Sequence, residues 1–176
     1  MTGGKVIMLT GAMAAGKSTV ANLLAERLPR SVHVRGDVFR RMVVNGRADM
    51  GPNPSPEALA QLGLRYDLAT HTADRYAAAG FDVVLQDVVI GPELTGFVDR
   101  IATPDRYLVV LAPDVAALER RERERTKVGY TGFSPADLDR VLRQDTPRLG
   151  YWLDSSALTP AATAEAILAN LPAAAV

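Results

Sequence analysis

The chain has 176 residues, with 20 Lys+Arg against 20 Asp+Glu for a formal net charge of zero, and it contains no cysteine. That length fits one domain over residues 1–176, and the balanced charge argues against a nucleic-acid or membrane-surface partner. The missing thiols exclude disulfides, a thiolate nucleophile and cysteine-bound zinc, and with only His33 and His71 a histidine-built metal site is not expected. Met1-Thr2-Gly3-Gly4 lacks the basic and apolar regions of a signal peptide. No apolar run approaches membrane-spanning length, so a soluble, cytoplasmic protein is expected.

In chain order, Lys5–Thr10 holds the run Val6-Ile7-Met8-Leu9. It is apolar on both faces, as a parallel strand covered by helices is. Residues Gly11–Thr19 follow, reading GAMAAGKST, and match G-x-x-x-x-G-K-[ST] between a strand pattern and a helix pattern. Glycines let successive N–H groups curl around an anion, and the helix N-terminus adds partial positive charge. A nucleoside triphosphate site is therefore predicted, with Gly11, Ala14, Ala15, Gly16, Lys17, Ser18 and Thr19 binding the nucleotide. Lys17 reaches the β- and γ-phosphates and the Ser18 hydroxyl ligates Mg2+.

Thr19–Leu28 carries Val20, Leu23, Leu24 and Leu28 at helical spacing, and Pro29 ends it. A short strand at Val32–Val34 leads into Arg35-Gly36-Asp37 and a brief helix through Arg41. The segment 45–56, rich in Gly and Pro, reads as a flap over about 42–61 rather than a bare connector. Ser55 and Pro56 then start a long helix whose packed face is expected to hold Leu59, Leu62, Tyr66, Ala69, Ala73 and Tyr76.

A third strand is predicted over Phe81–Val89, with Asp87 near its carboxyl end, then a helix from Pro92 to Ala102 and a fourth strand over Tyr107–Leu111. The helix after Pro113 runs through Arg120, Arg121, Arg123 and Arg125, interleaved with Glu119, Glu122 and Glu124. A connection about Gly129–Phe133, a helix from Ser134 to about Gln144, a strand at Tyr151–Asp154 and a helix from Thr159 complete the chain. Alternating strands and helices imply a three-layer α/β/α sandwich with a five-stranded parallel sheet, the P-loop containing nucleoside triphosphate hydrolase fold. Ligands of such sheets bind beyond the carboxyl ends of the strands, where the phosphate loop, Asp37 and Asp87 all fall.

Switch proteins and kinases share this loop. The Asn-Lys-x-Asp and Asp-x-x-Gly motifs of guanine-nucleotide switches are absent, as is the Leu-Ser-Gly-Gly-Gln transporter signature. Arg35-Gly36-Asp37 with Arg40 resembles the Gly-Asp-x-x-Arg segment of the nucleoside monophosphate kinase superfamily. The layout, with Ala14-Ala15-Gly16-Lys17-Ser18, Gly36-Asp37, Asp87-Val88, Gly91, Arg121 and Arg125, more closely resembles the chloramphenicol phosphotransferase branch of small P-loop kinases; gluconate and adenylylsulfate kinases share the plan.

The resemblance implies an ATP- and Mg2+-dependent kinase acting on a hydroxyl of a small molecule, an antibiotic or sugar-like metabolite. The alternatives are a nucleoside or nucleotide acceptor, or a regulatory nucleotide-binding protein with little transferase activity. It implies Asp37 as catalytic base, where helix capping is the bland alternative. It also implies a lid about 118–134, in which Arg121 or Arg125 neutralises the transferring phosphoryl group and one stacks near the adenine; a solvated, salt-bridged helix is the alternative there. Lys127 is a further lid candidate. Asp87 is placed to hold Mg2+ or to orient the acceptor. Arg40, Arg41, Gln61 and Arg65 are candidates for the acceptor pocket, and Asp154-Ser155-Ser156 for the base pocket.

Overall fold

The computed structural model describes residues 3–124 and 132–176. Its elements in chain order are β1 (Val6–Gly11), α1 (Lys17–Glu26), β2 (Ser31–Arg35), α2 (Gly36–Met42), α3 (Pro56–Ala78), β3 (Asp82–Gln86), α4 (Glu93–Asp99), β4 (Arg106–Leu111), α5 (Val115–Arg123), α6 (Pro135–Gln144), β5 (Tyr151–Leu153) and α7 (Pro160–Ala169), followed by a 3-10 turn over Leu171–Ala174. The five strands form one parallel sheet in the order β2-β3-β1-β4-β5.

β1 is buried along its whole length because helices cover both of its faces, which is why its sequence shows no alternation. Ile7, Met8 and Leu9 in β1, with Leu85 in β3 and Leu108 in β4, are among the largest fully buried side chains. Each contributes about 1.5–3 kcal/mol by leaving water. Successive strands are added on opposite sides of β1, so the chain reverses its winding there. The loop after β1 opens at that switch point, where parallel sheets leave a crevice. No helix among the described residues is long and apolar enough to cross a membrane.

The helix caps follow the sequence signals. Ser55, Asp114, Ser134 and Thr159 each accept a backbone N–H as N-cap of α3, α5, α6 and α7, and Ser134 with Asp137 forms a capping box. Two expectations are corrected. β3 ends at Gln86, which puts Asp87 just beyond the sheet edge. The buried face of α3 is Ala58, Arg65, Tyr66, Ala69, Thr70, Ala73 and Ala77, whereas Leu59 (52 %) and Tyr76 (42 %) are exposed. Tyr66, Ala69 and Ala73 of the expected face are buried and Leu62 packs against the core, so the expected face is offset at its ends, where small alanines rather than Leu59 and Tyr76 meet the sheet.

His33 in β2 is half-buried, and its Nε2 lies 3.3 Å from Gln86 Oε1. Burial lowers its pKa from the usual 6.5, and Arg35 adds to this while Gln86 and Asp37 oppose it. The fold thus favours neutral imidazole. As pH falls through 6.5 the unfolded chain takes up a proton first, and stability present above that pH declines. Urea midpoints are expected to fall more between pH 7 and pH 5 in the wild type than in His33→Gln, at values set by the ordinary histidine range.

Candidate active site

The phosphate loop is shaped by three residues with positive φ: Gly11 (144°), Ala14 (62°) and Gly16 (89°). A side chain on Gly11 would meet the Leu111 carbonyl at 2.4 Å, so β1 can pass into the loop only without one. Ala14 is the one non-glycine with positive φ among the described residues, a conformation that costs about 1–2 kcal/mol. Strain of this kind is held where function requires the shape. Gly16 is the N-cap of α1, and no side chain caps that helix or places an acid in its first turn. The end of α1 facing the loop therefore keeps its affinity for an anion. Lys17 is buried and its Nζ donates to the carbonyls of Gly11 (2.9 Å) and Ala12 (2.7 Å), which holds the ammonium at the loop mouth. Ser18 and Thr19 follow in the first turn and also line the cleft.

Across the cleft stands α2. Asp37 accepts from Arg41 (2.8 Å, to Oδ2), four residues on, and Arg35 Nε lies 3.4 Å from Oδ1. Neither Arg35 Nε nor Asp37 Oδ1 has a hydrogen-bond partner, although both atoms are shielded. Gly36 is required by close approach rather than by φ, because a Cβ there would stand 1.9 Å from Asp87 Oδ2. The Gly-Asp of the sequence motif thus divides its work: one residue packs onto Asp87 and the other faces the cleft.

Asp87 is buried against Arg65 of α3. Arg65 Nε donates to Oδ2 at 2.9 Å, an Arg65 terminal nitrogen donates to Oδ1, and the Val88 N–H donates to Oδ1 at 2.7 Å. The side chains are 5 % and 1 % exposed. Burial pushes the Asp87 carboxyl up, and Arg65, the Val88 N–H and Lys17 pull it back. Both Asp87 oxygens thus accept from Arg65, and Oδ1 also accepts from the Val88 N–H. Among the described residues no group of three or more His, Asp or Glu side chains is placed to hold a metal ion. A magnesium ion that keeps waters and phosphate oxygens needs fewer protein ligands, and the Ser18 hydroxyl suits that role.

The fourth wall comes from α5 and the segment after β5. Arg121 donates to the carbonyls of Ser155 (2.8 Å) and Ala15 (3.4 Å), spanning from the α5 face to the phosphate loop. Together these walls enclose a cleft of about 940 Å3, lined also by Arg40, Arg41, Arg65, Gln86, Arg120, Glu124 and residues 155–160. Arg125 and Lys127 lie outside the described residues.

Of the predicted acceptor residues, Arg40 pairs with Asp49 in the flap. Gln61 accepts from Ala48 N–H and donates to the Gly46 carbonyl and Glu57, so it clips the flap to α3, and it lines a smaller cavity beside the cleft. Trp152 is bonded to the Leu149 carbonyl and stacks on Arg148, away from the cleft walls. Sequence reasoning assigned no role to Arg35, Gln86 or Thr163, which also line the cleft. Arg35 carried a signal, since it directly precedes Gly36-Asp37 at the end of a strand.

A phosphate cradle at the switch point of a five-stranded parallel sheet, faced by a carboxylate and by arginines from two helices, is the P-loop kinase fold. The sequence model of the AAA domain family (AAA_33) matches residues 6–146, and the chain belongs to that family. No curated protein matches it. Among solved structures it is similar to an unliganded sugar kinase from Janibacter sp. HTCC2649 (16 % identity, TM-score 0.69, covering 97 % of this chain and 95 % of that one). It is also similar to the tunicamycin resistance protein of Deinococcus radiodurans (17 %, 0.63, 95 % of each). A third match is the Mycobacterium tuberculosis APS kinase in complex with AMPPNP and APS (20 %, 0.66, 98 % and 99 %). At these identities the likeness is one of fold.

Arg65→Met leaves a buried carboxylate alone and is expected to lower unfolding free energy by about 3–5 kcal/mol, whereas Arg65→Met with Asp87→Leu restores most of it in urea titrations. Gly36→Ala, which thrusts a methyl into Asp87, is expected to lose about 1–3 kcal/mol in the same assay.

Proposed function

We propose that the protein is an ATP-dependent phosphotransferase that moves the γ-phosphate to a hydroxyl of a small molecule. The observation that carries this reading is the Asp37 carboxylate, which lines the same cleft as the phosphate loop. The kinases of similar fold, named for a sugar and for APS, support a small acceptor.

In the proposed reaction the loop amides and the N-terminus of α1 receive the phosphates, and Lys17 turns its ammonium from the loop carbonyls to them. The acceptor hydroxyl donates to the Asp37 carboxylate. As the new O–P bond forms and the bond to the ADP oxygen breaks, that proton passes to Asp37. Arg35 and Arg41 hold the carboxylate in place, so orientation is as much its task as basicity. Arg121, already spanning the loop, opposes the negative charge of the transferring group and borders the nucleotide through the Ser155 carbonyl. Bound with the nucleotide, Mg2+ would be held by Ser18 and phosphate oxygens and would neutralise phosphate charge. Cytoplasmic residence belongs to the same reading.

Asp37→Asn is expected to keep ATP affinity while kcat falls by about 10²–10⁴-fold, the usual contribution of a positioned base. Near-normal turnover of that variant in a coupled ADP-release assay overturns the assignment. Slow ATP hydrolysis that no acceptor accelerates in the wild type favours a regulatory role instead.

A further inference from the structure

A second cavity, of about 190 Å3, opens beside the cleft between α2, the flap and α3. Arg40 and Arg65 belong to the walls of both, so the two spaces meet at those side chains. Apart from Arg40, Gln61 and Arg65, its lining is apolar, with Phe39, Met50 and Leu62 inside and Met42, Leu64 and Leu68 at its rim.

The three polar side chains are turned to protein partners. Arg65 holds Asp87 and Arg40 holds Asp49. Gln61 donates to the Gly46 carbonyl at 2.8 Å and to Glu57 at 2.7 Å, while its own carbonyl accepts the Ala48 N–H at 2.9 Å. A polyol seated here would bury hydroxyls against methyl and phenyl groups, at a cost of about 1–3 kcal/mol for each one left unsatisfied. An aliphatic-lined cavity of about 150 Å3 is enough to take up benzene, so this one takes a single six-membered ring with a short substituent. The exposed apolar rim, edged by charged residues, is the surface expected of a ligand groove. Because Arg40 and Arg65 wall both spaces, a molecule seated in the cavity lies beside the cleft that Asp37 lines.

We propose that the acceptor is an uncharged alcohol bearing one ring-sized apolar group, seated between Phe39, Met50, Leu62 and Leu68 while its hydroxyl faces Asp37. The assignment of that hydroxyl rests on the kinase reading above.

The chain carries its own reporters: of its five methionines, Met13 lines the donor cleft, Met42 and Met50 line the second cavity, and Met8 lies in the core. Protein labelled with ¹³C at the methionine methyls is titrated with Mg-ATP, then with cyclohexylmethanol, 2-phenylethanol, D-glucose and D-gluconate, and ADP release is followed in parallel. The two ring-bearing alcohols are expected to move the Met42 and Met50 signals saturably, leave Met8 in place, and support ADP release about tenfold or more faster than either polyol. Ring-bearing alcohols that leave Met42 and Met50 unmoved overturn the proposal, as does preferential turnover of glucose or gluconate. Failure of Mg-ATP to move Met13 instead strikes at the kinase reading, and is separately visible because Met13 lines the phosphate-loop cleft whereas Met42 and Met50 line the second cavity.

Discussion

The pair of Arg65 with Asp87 ties together the three elements that form the wall of the cleft facing the phosphate loop. Asp87 follows β3, Arg65 projects from the middle of α3, and the first residue of α2 lies directly on the carboxylate. Two buried charges are tolerated only because each satisfies the other with good geometry and because the Val88 N–H fills a further lone pair. The position of α2, and with it Asp37, follows from that contact. Any side chain at position 36 would push α2 away from β3, and the cleft would lose its facing wall.

The phosphate-loop side depends on a different economy of groups. Four helices spend a serine, threonine or aspartate on their N-termini, whereas α1 ends in Gly16 with no side-chain cap. An α1 cap would occupy the amides that an anion needs. The positive φ of Ala14 and the inward carbonyls that hold Lys17 belong to the same arrangement.

Charges on the side facing the phosphate loop are grouped rather than dispersed. Asp37 sits with Arg35 and Arg41, Asp49 with Arg40 and Arg47, and Asp87 with Arg65. Each carboxylate fixes at least one long arginine side chain, and the flap is held to α2 and α3 by Asp49 and Gln61. A charged cleft and an apolar cavity thus share Arg40 and Arg65 as common walls. That contrast of surfaces is what distinguishes this site from a uniformly polar one.

The order of strands and helices, the phosphate loop and the helix caps were legible in the sequence because each rests on local chemistry: glycine and lysine spacing, apolar runs, and serine or threonine before proline. Asp37 and Asp87 were recognisable as residues beyond strand ends for the same reason. Their partners were not. Arg65 is 22 positions from Asp87, and helical periodicity does not say which residues at the ends of α3 meet the sheet; the small alanines and the buried arginine settle that only when packed. Gln61 has the composition of a substrate-binding residue, and only the folded flap turns it into a clip. The family of reaction was written in local motifs, whereas the apolar cavity exists only where α2, the flap and α3 converge, since a cavity is a property of the space between elements and belongs to none of them.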